Sequence, residues 1–190
     1  MDDRPKMIGK LEAQFRQLST LLYDTSVDPR IVDAEVAPLL DENVRFTDPW
    51  QQEKGRGKYR LGLAGFHAMF RFTLDISQVS VQLDSDGASG RAMVDGVMNL
   101  QPLGQLFTYP LRTILVYEFA VTPGVNGAPQ VRIHAHEEMW SIADMIAVLP
   151  MTGLVYRRLF RPAFARGFLA ASWLSARARG VLPDWRSKPQ

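Results

Sequence analysis

The hydrophobic period of the chain changes near residue 74, and this change most constrains its fold. From there to residue 140, apolar and polar side chains alternate with the period of two that is typical of β-strands. Turn residues divide this stretch into four predicted strands, at 74–83, 91–101, 107–121 and 130–140. Long strands joined by short turns predict an antiparallel meander.

The part of the chain before residue 74 has helical periodicity. Apolar residues recur three or four apart in 8–24, 31–41 and 58–72, which predicts three helices. Pro38 is expected to kink or shorten the second helix, and a short strand, Val44–Asp48, separates it from the third. Helices followed by such a meander predict the α+β class, with three N-terminal helices packed on one face of a curved sheet of about four long strands.

The remainder of the chain is helical and basic. We expect a domain over residues 1–140, a basic amphipathic helical extension over 141–180 and a loose tail over 181–190. The whole chain has a formal net charge of +2, while residues 141–190 hold eight Lys and Arg against two Asp, which leaves −4 in residues 1–140. This uneven division indicates an anionic surface as a partner of the extension.

Two interpretations of the extension stay open. In the first, Arg157, Arg158 and Arg161 contact lipid headgroups of an anionic membrane, and the large apolar side chains between them reach the acyl boundary. In the second, the helices close the mouth of the domain and their arginines are solvated. Because the basic residues alternate with large apolar ones, no nucleic-acid partner is expected.

The absence of cysteine and of known motifs excludes several kinds of chemistry. The chain has no cysteine, which excludes disulfides, thiolate metal sites and cysteine nucleophiles. It also lacks the GxGxxG, P-loop, GxSxG and HExxH motifs, so no cofactor and no metal are expected. A polar N-terminus and no run of about 18–20 apolar residues predict a cytoplasmic protein. If the extension binds lipid, the protein would be peripheral on the inner membrane face.

Asp48 is the first candidate for chemistry. Its strand alternates Val44 and Phe46 with polar residues, which would direct the Asp48 carboxylate towards an apolar interior. Burial raises the pKa of a carboxyl group and permits general-base catalysis. Asp48-Pro49 is also common turn chemistry, and from these residues alone the turn is the better-supported interpretation.

The last predicted strand carries the most polar residues of the sheet. His134 and His136 are two apart, so they would share a face with Glu138, an arrangement that permits acid–base catalysis. The alternative is that the other face is buried, which would put both histidines on the outer face of the sheet or at a dimer interface. A metal site would need a third ligand such as His67 and is disfavoured.

Aromatic residues supply the other candidates. Tyr117 lies in an apolar row of its strand, where a phenol can donate to a developing oxyanion, although such a tyrosine more often packs its ring and bonds a neighbour. A lone histidine such as His67 is more often buried and hydrogen-bonded than catalytic. The predicted ligand-lining residues are Trp50, Tyr59, His67, Phe70, Glu138 and Trp140.

The order of elements and the segment LLDENVRFTDPW together resemble the nuclear transport factor 2-like superfamily, which includes ketosteroid isomerase, the SnoaL-like polyketide cyclases and scytalone dehydratase. The resemblance covers residues 8–140. Within the superfamily the chain is similar to a subgroup with a basic C-terminal helical extension, for which the resemblance implies no particular function. The features shared with that subgroup are Phe46-x-Asp48-Pro49, Tyr59 and Arg60 at the start of the long helix, and Ile133, His136 and Trp140 in the last strand.

The resemblance implies a cystatin-like cone that encloses an apolar cavity. By similarity to ketosteroid isomerase, Asp48 corresponds to the general base and Tyr117 falls near the acid that donates to the oxyanion. His134 and His136 fall near pocket-lining positions. The catalytic tyrosine of the isomerase's first helix has no counterpart in the middle of the first helix here, and Tyr23 stands only at its end.

Three functions stay open at this point. The first is a cofactor-independent isomerase, lyase or hydrolase that acts on a small hydrophobic molecule such as a lipid, steroid or polyketide. Asp48 would be its base, His134 or His136 the partner acid–base, and Tyr117 the oxyanion donor. The second is a non-catalytic carrier of an apolar ligand, held at a membrane by residues 142–179. The third is a homodimeric scaffold whose sheet face includes the two histidines.

Overall fold

Three helices precede the four long strands, as the periodicity predicts. The computed structural model of the protein describes residues 4–49, 51–105, 108–123, 129–141, 146, 152–167 and 170, apart from the side chains of residues 69, 102–105, 123 and 129. Up to residue 141 its elements are α1 (Arg4–Leu22), α2 (Pro29–Val36), a 3₁₀ turn (Ala37–Leu39), β1 (Leu40–Thr47), β2 (Gln52–Lys54), α3 (Arg56–Met69), β3 (Arg71–Leu83), β4 (Ser89–Gln105), β5 (Tyr109–Pro123) and β6 (Pro129–Trp140).

The six strands form one sheet in the order β2-β1-β6-β5-β4-β3. The long strands β3 to β6 pair antiparallel with their neighbours in sequence, which confirms the predicted meander. β1 joins the sheet by parallel pairing with β6, and β2 pairs antiparallel with β1 at the edge. The α+β class, with a curved sheet and N-terminal helices, is confirmed.

Proline sets the end of the second helix. Asp28 caps α2 by accepting a hydrogen bond from the Arg30 N–H, and Pro29 begins the helix. The helix ends at Val36 instead of residue 41, because Pro38 lies in the 3₁₀ turn that follows and has no N–H to continue the helix. The residues released in this way extend β1, which begins at Leu40, four residues before the predicted start. The edge strand β2 falls in a segment predicted to be a loop.

The core lies between α1 and the inner face of the sheet. The predicted helical stripe of α1 is buried, and the ring of Phe15 is fully buried. Its centroid lies 5.2 Å from that of Tyr117 and 4.9 Å from that of Phe119, both on β5. Burying one such side chain stabilises the fold by roughly 1.5–3 kcal/mol. This packing holds α1 across the sheet and positions its last turn beside β6.

A β-bulge at His134 changes the direction of side chains in β6. Glu118 pairs with Ala135, and the next residue of β5, Phe119, pairs with Ile133, so His134 is the extra residue. Ile133 is buried before the bulge and His136 after it, while the His134 side chain is 48% exposed. The prediction that the two histidines share a face is therefore wrong, because the bulge interrupts the alternation between them.

The chain divides into two compact units, Met1–Asp144 and Met145–Gln190. Within the second unit, α4 (Thr152–Val155) continues into a π-helical turn, Tyr156–Phe160, and residues 161–167 are helical. Pro162 follows this π turn and has no N–H to donate to the carbonyl four residues before it. The rest of the predicted extension over 141–180 and the whole predicted tail over 181–190 lie outside the described residues. No helix among the described residues is long and apolar enough to span a membrane.

Gly96 on β4 allows a close approach between β4 and β3 at a second bulge, between Ile76 and Gln78 of β3. A Cβ atom at Gly96 would lie 2.6 Å from the Asp75 carbonyl oxygen. We therefore expect Gly96→Ala to lower the free energy of unfolding by roughly 1–3 kcal/mol in urea denaturation followed by circular dichroism.

Gly9→Ala is the matched control for this substitution. Gly9 lies inside α1, and a Cβ atom there has no neighbour within 4 Å. Alanine should therefore be neutral or raise the free energy of unfolding by roughly 0.5–1 kcal/mol. Equal stability of Gly96→Ala and the wild type would contradict the close approach.

Candidate active site

A cavity of about 240 Å³ opens among the last turn of α1, the end of β1, α3 and the C-terminal half of β6. Part of its wall is apolar and comes from Leu22, Phe46, Leu63 and Phe66. Its charged side chains include Asp48, Glu53 and Lys58. Four further titratable side chains are all buried: Tyr23, Tyr59, His136 and Glu138. The cavity is therefore apolar with one concentrated polar cluster, as is typical of small-molecule sites.

The polar cluster is a chain of hydrogen bonds centred on His136. The Tyr59 hydroxyl oxygen is 2.8 Å from Nδ1 of the imidazole, and the Tyr23 hydroxyl oxygen is 3.3 Å from Nε2. The Tyr23 hydroxyl also donates a short hydrogen bond to Oε1 of Glu138. Because Tyr23 has one proton and donates it to the carboxylate, its bond with His136 requires the proton of the imidazole on Nε2. Nδ1 then accepts from the Tyr59 O–H.

The imidazole is held in place by its neighbours. The Tyr117 ring stacks on it at a centroid distance of 4.4 Å and an angle of 20°, and the Phe46 ring meets it edge-on at 5.4 Å. The Tyr117 hydroxyl pairs with Ser19 Oγ at 3.0 Å. Tyr117 is fully buried and does not line the cavity, so its hydroxyl is not placed to donate to an oxyanion there. It supports the imidazole from behind.

Burial sets the protonation states of this cluster. It lowers the pKa of His136 to about 3, so the imidazole is neutral near pH 7. It also raises the pKa values of Tyr23 and Tyr59, whose phenols therefore stay protonated. The neutral forms of these side chains are the ones that the hydrogen-bond chain requires.

Glu138 has a pKa close to physiological pH. Burial raises its pKa to about 7, the hydrogen bond from Tyr23 opposes this rise, and the charge of Asp48 adds to it. The Trp140 indole N–H also lowers the pKa slightly, although it lacks the geometry of a regular hydrogen bond. A carboxyl group with this pKa can both accept and donate a proton at neutral pH, which is the requirement for general acid–base catalysis.

Asp48 lines the same cavity but also makes the turn that its sequence indicates. Its carboxylate accepts hydrogen bonds from the Gln51 backbone N–H at 2.9 Å and from the Gln51 side-chain amide at 3.0 Å. Its own N–H donates to the Gln51 carbonyl at 3.0 Å. Both interpretations of Asp48 thus apply: it stabilises a turn and is part of the cavity wall.

The structure brings four predicted site residues, Tyr59, His136, Glu138 and Trp140, to the cavity beside Asp48. His134 is 3.8 Å from the Asp41 carboxylate and takes no part in the wall. His67 is buried, with Nε2 2.7 Å from the Leu22 carbonyl oxygen, and borders a separate groove between α2 and α3.

Other predicted residues lie away from the cavity. The Phe70 ring packs on Phe66, with centroids 5.1 Å apart, and does not line the cavity. Trp50 lies outside the described residues. Arg157, Arg158 and Arg161 are exposed in the second unit.

Tyr23 is the functional residue that sequence reasoning missed. It follows Phe15 and Ser19 at intervals of four, and all three side chains are buried. Its N–H donates to the Ser19 carbonyl at 3.1 Å, so it continues the last turn of α1. The available signal was its spacing of two intervals of four from the aromatic residue Phe15, on the predicted apolar stripe of the first helix. It places a tyrosine of the first helix beside the cavity, at the end of the helix instead of its middle.

No protein-family model matches the chain, and no curated protein matches its sequence. Solved structures do match its fold. Nuclear transport factor 2 from Cryptosporidium parvum is 17% identical, with a TM-score of 0.51 over 70% of this chain and 94% of that one. A candidate scytalone dehydratase from Novosphingobium aromaticivorans is also 17% identical, with a TM-score of 0.50 over 70% and 82% of the two chains. A candidate dehydratase of the NTF2-like family from Streptomyces avermitilis is 14% identical, with a TM-score of 0.53 over 70% and 98%.

These similarities define the class of fold. The sheet order, the three N-terminal helices and the matches to solved structures show that the chain has the nuclear transport factor 2-like fold, as the resemblance predicted. At such low identity they show the fold alone, and the chemistry has to be argued from the residues of the cavity.

The raised pKa of Glu138 has a measurable effect on stability. Its folded value of about 7 exceeds the ordinary 4.5, so the stabilisation from its protonated form is complete at low pH and is lost as the pH rises through 7. Glu138→Gln has no such loss. From pH 4.5 to about pH 8, we expect the free energy of unfolding of this variant, relative to that of the wild type, to rise by roughly 3 kcal/mol. Urea denaturation at several pH values measures this difference.

Two features make this comparison specific to Glu138. Burial of His136 lowers its pKa, so it reduces the stability of the fold as the pH falls below the ordinary value of 6.5. This happens in both proteins and leaves the difference between them unchanged. Glu137→Gln removes an exposed carboxyl group of the same strand and is the matched control for the loss of one acidic side chain. A difference for Glu138→Gln that does not change with pH would contradict the raised pKa.

Proposed function

We propose that the protein catalyses acid–base chemistry of the isomerase or dehydratase kind on a small apolar molecule bound in the cavity. The observation that carries this proposal is the position of Glu138, a buried carboxyl group with a pKa of about 7 on the wall of a cavity that combines apolar side chains with one polar cluster. Perturbed carboxyl groups of this kind are concentrated at catalytic sites.

Glu138 replaces Asp48 as the candidate general base. Asp48 is committed to two hydrogen bonds from Gln51, whereas Glu138 receives one short hydrogen bond from Tyr23 and is 7% exposed. Asp48 keeps a supporting role, because its charge raises the pKa of Glu138 and so makes the carboxylate more basic. His134 has no role in this chemistry, since it lies outside the cavity.

The chemistry begins with proton transfer from carbon. A carboxylate oxygen of Glu138 takes a proton from the carbon next to a ligand carbonyl, and the electron pair of the C–H bond moves into the enolate. Where the ligand has a C=C bond next to that carbon, the enolate extends over it, and return of a proton to the far carbon would complete an isomerisation. Departure of a hydroxyl group from the neighbouring carbon, with a proton delivered to it, would complete a dehydration. Candidate dehydratases share the fold, which is compatible with this kind of chemistry.

Exchange of carbon-bound hydrogen tests the proposal without a known substrate. We expect the wild-type protein in D₂O to accelerate incorporation of deuterium next to the carbonyl of 2-tetralone, an apolar bicyclic ketone, as measured by mass spectrometry. Glu138→Gln should reduce the rate by about 10²–10⁴-fold, because the general base is lost. Glu137→Gln is the control, since its side chain is exposed on the opposite face of the strand. Equal rates for Glu138→Gln and the wild type would exclude Glu138 as the base.

Attachment to an anionic membrane is the second candidate function, and it concerns the second unit. Leu159, Phe160 and Phe164 are 57–65% exposed, and the rings of Phe160 and Phe164 stack at a centroid distance of 6.0 Å. Arg157 and Arg158 beside them are exposed as well. Exposed aromatic side chains with adjacent cations are typical of helices that lie in a membrane interface.

Vesicle co-sedimentation tests this second function. The full chain should bind vesicles of phosphatidylserine and phosphatidylcholine, and binding should weaken with salt because the charges become screened. Replacing Phe160 and Phe164 together by serine should weaken binding by about tenfold or more. Leu61→Ser is the matched control, because Leu61 is 75% exposed on α3. If both variants bind vesicles as the wild type does, the aromatic pair is not a membrane contact.

A further inference from the structure

We propose that Glu138, Tyr23, His136 and Tyr59 form a proton relay that connects two points of the cavity wall. A proton taken from the ligand by Glu138 is matched by a proton given to the ligand by Tyr59. The ligand class that this relay suits is a small apolar β-hydroxy carbonyl compound, which loses one proton and one hydroxyl group. This inference rests on the proposed function of the same cavity.

The geometry of the relay is continuous. Its three links are the short bond between Tyr23 and Glu138, the 3.3 Å separation between Tyr23 and Nε2 of His136, and the 2.8 Å separation between Nδ1 and Tyr59. The four residues come from α1, β6 and α3 and are at most 7% exposed. All four line the cavity, so both ends of the relay can reach a bound ligand.

Protonation of Glu138 reverses every bond of the relay. With Glu138 ionised, the Tyr59 O–H donates to Nδ1, the Nε2–H donates to Tyr23, and the Tyr23 O–H donates to the carboxylate. With Glu138 protonated, its O–H donates to Tyr23, the Tyr23 O–H donates to Nε2, and the Nδ1–H donates to Tyr59. The Tyr59 proton is then free to point at the ligand. The imidazole exchanges one N–H for the other through solvent and is neutral before and after the exchange.

The surroundings of His136 favour this exchange over formation of an imidazolium. Burial lowers its pKa to about 3, and the stacked Tyr117 ring holds the imidazole plane while it changes tautomer. The ionisable groups that face the relay are Tyr117 from β5, Asp48 after β1, Glu53 from β2 and Lys58 from α3. Glu53 and Lys58 pair with each other at 2.6 Å, which leaves Asp48 as the charge that acts on Glu138.

The relay gives a balanced dehydration. The C–H bond beside the carbonyl breaks, its electron pair forms the new C=C bond, and its proton goes to Glu138. The C–O bond at the next carbon breaks as the leaving hydroxyl group takes the Tyr59 proton and departs as water. After Glu138 is protonated, the imidazole loses its Nε2 proton to solvent and gains one on Nδ1. Transfer of one proton along each link from Glu138 to Tyr59 then returns all four groups to their starting protonation. The cycle has no net uptake or release of protons, and it needs no oxidant or reductant.

The tautomer of His136 reports the relay directly, without a ligand. In ¹⁵N NMR of the full chain, the imidazole proton should be on Nε2 above the titration midpoint of Glu138 and on Nδ1 below it. The two midpoints should coincide when Glu138 is followed by ¹³C NMR of its carboxyl group. Glu138→Gln should keep the proton on Nε2 at every pH, because the amide oxygen accepts from Tyr23 without titrating. Glu137→Gln, on the exposed face, should keep the wild-type switch.

Three results would overturn the relay: one tautomer at every pH in the wild type, protonation of both ring nitrogens together, or a tautomer switch that persists in Glu138→Gln. If Glu138→Gln does not fold, Tyr23→Phe serves instead, since it removes the link between Glu138 and His136 and should abolish the switch while Glu138 still titrates. Failure of the proposed function is distinguishable, because it would appear as absent deuterium exchange in 2-tetralone whatever His136 does.

Discussion

The bulge at His134 is the constraint on which the site depends. Without the extra residue, strict alternation from the buried Ile133 would turn His136 and Glu138 to the outer face of the sheet. With it, both side chains point to the cavity, while the hydrophobic residues at the start of β6 still face the core. One inserted residue thus lets the same strand contribute to an apolar core at one end and to a polar cluster at the other.

The polar cluster is stable because its members satisfy one another. A buried carboxylate without partners would destabilise the fold by several kcal/mol, and here Glu138 receives the Tyr23 hydroxyl while His136 has a phenol at each ring nitrogen. The hydrogen bond does not fully offset burial, since the pKa of Glu138 stays near 7. In the proposed function, that remaining destabilisation of the charged form makes the carboxylate a base, so reactivity and stability would oppose each other at this residue.

Periodicity predicts the large features of this fold because long strands and helices repeat the same signal many times. The class, the meander and the stripe of α1 therefore follow from the sequence. A single-residue bulge has no such repetition, and nothing in the residues around His134 marks it. One uninterrupted pattern of alternation buries Ile133, and the other buries His136 and Glu138. The first is correct before the bulge and the second is correct after it. The three residues of β2 are likewise too few for a pattern. Tyr23 was within reach of helical spacing, yet its role also depends on where β6 places His136.

Asp48 and Glu138 show how depth separates the roles of two carboxyl groups in one cavity. Asp48 is only partly buried, and its turn supplies two N–H donors from Gln51 that stabilise its charge. Glu138 lies deeper and has fewer donors, so it holds its proton up to about pH 7. The charge of Asp48 strengthens this difference, because a second negative charge in the same cavity disfavours ionisation of Glu138. In the proposed chemistry, the Asp-Pro turn therefore contributes through its field, and the proton moves at the residue that the bulge turns inward.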